Sequence, residues 1–117
     1  MDTQAGRWLP EIMITHTLIY SFPPAMTEQD RKQYFDEVGA ILLGEGKASA
    51  FQHWAHQPLP GGDHAPVFTA TDVAQFDFAD LDAVAAASAL PALREFIGRW
   101  QARFPFKVVF ANHEPAR

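Results

Sequence analysis

The sequence predicts an α+β domain of order β-α-β-β-α-β, in which a four-stranded antiparallel sheet carries its helices on one face. Three observations predict it. Stretches with apolar residues at every second position, rich in Thr, Val and Phe, recur near both ends and in the middle of the chain. Stretches with apolar residues at three- and four-residue spacing lie between them. Clusters of Gly and Pro mark the joins. The 117 residues suit a single domain, and 48% hydrophobic residues with 13% aromatics supply its core.

Residues 1–11 read as a lead-in, in which Trp8 is the one side chain suited to docking, and residues 12–117 read as the domain. Along 12–22 the chain alternates. Ile14, His16, Leu18, Tyr20 and Phe22 share one face, and Thr15, Thr17, Ile19 and Ser21 the other. The prolines of "FPPAM" end this strand, because they cannot donate to a ladder. "TEQDRKQYFDEVGAILLG" is a helix. Thr27 caps it with Asp30 as a capping-box partner, and Glu28 and Asp30 complement the helix dipole. Tyr34, Phe35, Val38, Ile41 and Leu42 form its apolar stripe, and Gly44 and Gly46 stop it.

"KASAFQHWAHQ" is a second strand, followed by the connection "PLPGGDHAP". "VFTATDVAQFDF" is a third, with Phe68, Ala70, Asp72, Ala74 and Phe76 on one face. "ADLDAVAAASALPALREFIGRWQARF" is helical, and Pro91 belongs in the first turn of its second segment. There Leu93, Phe96, Ile97, Trp100 and Phe104 make the stripe. "PFKVVFANHEP" closes the chain as a strand. This order is the split βαβ, or ferredoxin-like, arrangement, which leaves one sheet face without helices. Such a face is normally hidden by a second copy, so the sequence predicts a homodimer through the sheet face.

Composition excludes several functions. The net charge of −5 comes from 14 acidic and 9 basic residues, and Arg31–Lys32 is the one adjacent basic pair, so no stripe tracks a phosphate backbone and nucleic acid is not expected as a partner. Cysteine is absent, which removes disulfide and thiolate chemistry and accords with a cytoplasmic location. No run reaches the roughly 18 apolar residues of a membrane span, and the start lacks an export signal, so no membrane partner is expected. His53 and His56 stand three apart, on opposite faces of a strand, and converge on no metal unless a turn there brings in His64 as well. The Gly-rich, Walker, H-E-x-x-H and G-x-S-x-G motifs are all missing, so neither a metal nor a cofactor is predicted.

"THTLIYSF", "PPAMTE" and "QYF" in order, then "LPALREFIGRW" and "KVVFANHEP" at the end, resemble the dimeric α/β-barrel proteins. Within them the chain is most similar to the stress-responsive A/B barrel group, which includes the plant olivetolic acid cyclase. About half of the chain carries the resemblance well, and the middle carries it by element order. It implies a pocket between sheet and helices, with His16, Leu18 and Tyr20 as the strand wall. Tyr34, Phe35 and Val38 would line it from the first helix, and Phe96, Arg99, Trp100 and Phe104 from the last. His16 matches one histidine of the cyclase, whereas the second falls at Leu93 within "LPAL".

The expected chemistry is proton transfer without a cofactor, as a cyclase, isomerase or small monooxygenase acting on a hydrophobic, oxygenated small molecule of aromatic or polyketide type. His16 would move or hold the proton, an imidazole being suited to this near neutrality. Tyr20 or Tyr34 would steady a carbonyl, and Leu18, Phe35, Val38, Phe96, Trp100 and Phe104 would hold the substrate. The competing reading is a non-catalytic homodimer that binds a ligand or serves a stress response, with His16 satisfied by backbone. Asp72 would have a raised pKa if unpaired, or a partner in Arg or Thr. The "NHE" of 112–114 reads as an exposed tail.

Overall fold

The computed structural model describes residues 13–61 and 69–116. The lead-in with Trp8, and His64, Val67 and Phe68, lie outside the described residues. Strand β1 is Ile14–Ser21, helix α1 Glu28–Leu43, strands β2 and β3 Ala50–Ala55 and Asp72–Phe78, helices α2 and α3 Leu81–Ser88 and Pro91–Arg103, and strand β4 Lys107–His113. The sheet runs β2-β3-β1-β4, and every neighbouring pair is antiparallel. The expected ferredoxin-like α+β architecture is thus the one observed, with the last helical region divided in two.

Local chemistry sets these boundaries. Thr27 Oγ1 accepts from the Asp30 amide at 3.0 Å while Asp30 Oδ2 accepts from the Thr27 amide at 3.0 Å, so both halves of the capping box form. Gly44 caps the other end, where its N–H donates to Ala40 O. Asp80 starts α2 by accepting from the Ala83 amide, and Pro91 opens α3 where its missing N–H costs nothing. The third strand starts later than its apolar pattern, at Asp72, and from there alternates between buried and half-buried side chains.

The core is an aromatic cluster between one sheet face and helices α1 and α3. Tyr20, Phe22, Tyr34, Phe35, Phe76, Phe78, Phe96 and Trp100 are each at most 4% exposed. Burying a large apolar side chain contributes about 1.5–3 kcal/mol, and edge-to-face contacts such as Tyr20–Phe35 add to that. The α3 stripe is narrower than expected. Phe96 and Trp100 are buried and Leu93 and Phe104 pack against the core, but Ile97 is 40% exposed. One residue onward is about 100° around the helix, which carries Ile97 past the contact line.

Two features bear on function. β4 is exposed along its whole length, with Val109 and Phe110 at 64% and 63%. Just before it, the Gln101 side chain clamps Phe106, donating to its carbonyl at 2.9 Å and accepting from its amide at 3.1 Å. On the helix-free face, Gln75 donates to Thr17, whose hydroxyl pairs with His113, and Thr15 donates to Asp77. Beside this polar group runs an apolar row in register across all four strands, Trp54, Val73, Ile19 and Val109. Among the described residues, no helix is long and apolar enough to cross a membrane.

Candidate functional site

Strand register decides what surrounds His16. Its neighbours are Phe76 on β3 and Asn112 on β4, all three on the helix-side face. The imidazole Nδ1 lies 2.7 Å from Asn112 Oδ1. An amide oxygen only accepts, so Nδ1 carries the proton and donates, which leaves the lone pair on Nε2. Phe110 leans on the ring with centroids 5.0 Å apart, and Phe78 meets it edge-on at 6.5 Å. His16 is half-buried, whereas Asn112 and Phe110 are exposed. The result is an oriented imidazole on an aromatic shelf at the open edge of the sheet, suited to accept a proton.

The remaining predicted residues meet one another in the core. Tyr34 donates its hydroxyl to Tyr20 at 3.0 Å, and the two rings meet edge-on. Burial pushes the Tyr20 phenol up to about 12 against the pull of the Tyr34 hydrogen bond, with the charge of Asp72 adding to the rise. Burial, reinforced by Tyr20, pushes Tyr34 up as well. Both phenols therefore stay neutral at physiological pH. Phe35, Val38, Phe96 and Trp100 are buried around them, and Leu18 and Phe104 pack against the cluster. Trp100 keeps its indole N–H on Glu37 Oε1 at 3.0 Å, where Arg99 also donates. Partial burial raises the Glu37 carboxyl, and the bonds from Trp100, Gln33 and Arg99 outweigh it to leave the pKa below its ordinary value.

A separate cleft of about 200 Å³ opens between the start of α1 and the edge strand β2. Arg31, Lys32 and Phe35 line it from the helix, His53 and Trp54 from β2, and Asp72 from β3, so Phe35 is its one residue predicted as a substrate contact. Asp72 is 4% exposed, and Arg31 Nε stands 3.7 Å from its Oδ1. Burial raises the Asp72 carboxyl, with Thr71, Arg31 and His53 pulling it back. Among the described residues, no group of three or more His, Cys, Asp or Glu is placed to hold a metal ion.

Sequence reasoning read Asn112 as tail and named Arg31 only as half of a basic pair. The usable signal for Asn112 was topological. The βαββαβ order places β4 beside β1, and Asn112 then needs only the right register to meet His16.

No family model matches the chain, and no curated protein does either. Solved structures do. The crystal structure of At3g17210 from Arabidopsis thaliana superposes with a TM-score of 0.72 at 20% identity, covering 89% of this chain and 96% of that one. A hydroxynitrile lyase from Passiflora edulis gives 0.72 at 14% identity, over 92% of this chain and 97% of its own. A DABB-family protein with a ferredoxin-like fold from Mesorhizobium loti gives 0.65 at 19% identity, over 91% and 99%. At these identities the fold is what is shared.

Proposed function

We propose that this chain is a cofactor-independent enzyme in which His16 transfers a proton to or from a hydrophobic, oxygenated small molecule, aromatic or polyketide-like, in a cyclisation, an isomerisation or a related oxygenation. The observation that carries this reading is the 2.7 Å bond from His16 Nδ1 to Asn112 Oδ1. It commits one nitrogen to donation and leaves Nε2 as the base. In the proton-transfer reactions, Nε2 takes a proton from carbon next to a carbonyl, the electron pair moves onto oxygen as an enolate, and the imidazolium returns the proton elsewhere. General-base catalysis of this kind supplies about 10²- to 10⁴-fold.

Phe110 and Leu18 flank the imidazole on the same sheet face and hold the apolar body of the substrate. Tyr20 accepts from Tyr34 four residues along β1 from His16, and the pair is enclosed in the core, so it supports the wall behind the imidazole and not a substrate carbonyl. Phe35, Val38, Phe96, Trp100 and Phe104 form the packed floor behind. The hydroxynitrile lyase among the neighbours supports an enzyme of small molecules on this fold. The row Trp54–Val73–Ile19–Val109 supports a homodimer through the helix-free face, and a ferredoxin-like neighbour from Thermobifida fusca is dimeric. The cytoplasm, with no disulfide needed, is the expected workplace.

Proton-exchange NMR tests the reading. In D₂O the wild type should speed loss of the acidic C–H signal of acetylacetone and of longer, aromatic 1,3-diketones. His16→Gln should return to background, and Asn112→Ala should fall between. A wild type no faster than background across that panel overturns the enzyme and favours the non-catalytic dimer. Light scattering that finds a monomer at micromolar concentration overturns the dimer.

A further inference from the structure

The far end of the helix-covered sheet face holds a second polar site. Asp72 begins β3 four residues before Phe76, the partner of His16, so roughly 13 Å of strand separates it from the imidazole. It lies under the cleft between α1 and β2. Packing leaves two things there unsettled. Asp72 is enclosed, with a side chain 5% exposed, yet its Oδ1 accepts no hydrogen bond. Its neighbouring cation does not close on it. Arg31 Nε stops at 3.7 Å, too far for a hydrogen bond, while Nη1 donates to Met26 O at 3.1 Å. A buried oxygen without a donor is destabilising, and native folds leave few of them. Burial also holds the Asp72 carboxyl above the usual carboxylate range.

We propose that this cleft binds a small 2-hydroxy carboxylate with an apolar body, whose hydroxyl donates to Asp72 Oδ1 and whose carboxylate takes the free edge of the Arg31 guanidinium. A 2-hydroxy acid carries a donor and an anion on adjacent carbons, and it fits a carboxylate and a guanidinium that stand side by side without bonding. The Arg31 side chain is 29% exposed and tilts outward to admit the ligand, where charge-assisted bonds hold the anion. Lys32 is occupied by Asp36 at 2.8 Å, so Arg31 is the anion's principal partner. Phe35 and His53 stack 4.3 Å apart at 15°, a flat wall on the helix side that receives the apolar body.

The surroundings narrow the class. Glu28 at the rim disfavours a dianion such as phosphate, and Arg31 and Lys32 disfavour an ammonium in place of the hydroxyl. A cleft of about 200 Å³ lies below the roughly 300 Å³ at which pockets for drug-sized ligands begin, so the ligand has on the order of ten non-hydrogen atoms.

Amide NMR titration with 2-hydroxy-3-phenylpropanoate tests this, with 3-phenylpropanoate, phenylalanine and inorganic phosphate as comparisons. The hydroxy acid should shift Arg31, Phe35 and His53 saturably, and 3-phenylpropanoate should bind about tenfold more weakly for want of its hydroxyl. Asp72→Ala, which leaves no acceptor for the hydroxyl, should erase that difference, and Arg31→Met should weaken both carboxylates alike. Melting curves establish that both variants fold, and His16→Ala should bind as the wild type does. Equal affinity for the two carboxylates, undiminished binding by Arg31→Met, or shifts centred on His16 and Asn112 would each overturn the proposal. So would tighter binding of phenylalanine or phosphate.

Discussion

Removing the Asn112 side chain should change which imidazole nitrogen of His16 carries the proton. In the wild type the 2.7 Å bond to Asn112 Oδ1 keeps the proton on Nδ1. Asn112→Ala deletes the acceptor and leaves the ring between Phe78 and Phe110, so the effect isolates one hydrogen bond. A neutral bond of this kind is worth about 0.5–1.5 kcal/mol net. At about 1.4 kcal/mol per tenfold change, its loss shifts the ratio of the two neutral tautomers by about twofold to twelvefold toward Nε2–H. The lower end is expected, because Asn112 is exposed and water replaces it. Long-range ¹H–¹⁵N NMR on neutral His16 reads the two nitrogens directly. A wild-type ring protonated at Nε2 would refute the reasoning. Asn112 would then present its amide nitrogen, and the basic nitrogen would face it and not the substrate. An unchanged ratio in Asn112→Ala would refute it too.

Asp72→Asn should stabilise the protein in a pH-dependent way. The folded state holds this proton more tightly than the unfolded chain, whose carboxyl titrates near 3.8, so the stability Asp72 contributes is greatest in acid and falls as pH rises through that value and beyond. Denaturant curves of variant and wild type should therefore nearly coincide at about pH 3 and separate by about pH 7, with the variant more stable. Gly39→Ala should cost about 1 kcal/mol net, because the new Cβ comes within 2.9 Å of the Phe51 ring and pushes it off Phe76, outweighing the helix-propensity gain. Gly98→Ala, with nothing within 4 Å, should instead gain about 0.5–1 kcal/mol, and thermal melts of the pair give the two signs. Thr27→Ala removes the Oγ1 that accepts from the Asp30 amide, while the residue-27 amide still donates to Asp30, and should lower stability by about 1 kcal/mol, seen as a Tm lower by a few degrees.

What the sequence revealed was mostly local. The alternation of β1, the Thr27–Asp30 box and the start of α3 at Pro91 each depend on residues a few positions apart, and each reads directly from spacing. Most of the expected α1 stripe is buried as predicted, with Ile41 only partly so. The fold followed because these elements, in this order, have few ways to pair. The polar sites did not read out in the same way. Asn112 is 96 residues from His16, and their meeting depends on the β1–β4 register, which periodicity does not contain. Arg31 and Asp72 meet only because α1 crosses the sheet near the head of β3. Ile97 marks the opposite error, since an apolar residue beside a stripe reads as part of it until the partner surface is known.

The Gln101 clamp on Phe106 acquires a further meaning from where β4 goes next. A strand paired on one edge only, and covered by little on either face, has little side-chain packing to hold its phase. A slip of a single position would turn every side chain over and present Ala111 or His113 opposite His16 in place of Asn112. By fixing the amide and carbonyl of Phe106 as the chain leaves α3, one glutamine acts as an index pin for the strand. The identity of the group beside His16 is thus set at the far end of β4, by a residue that never approaches it.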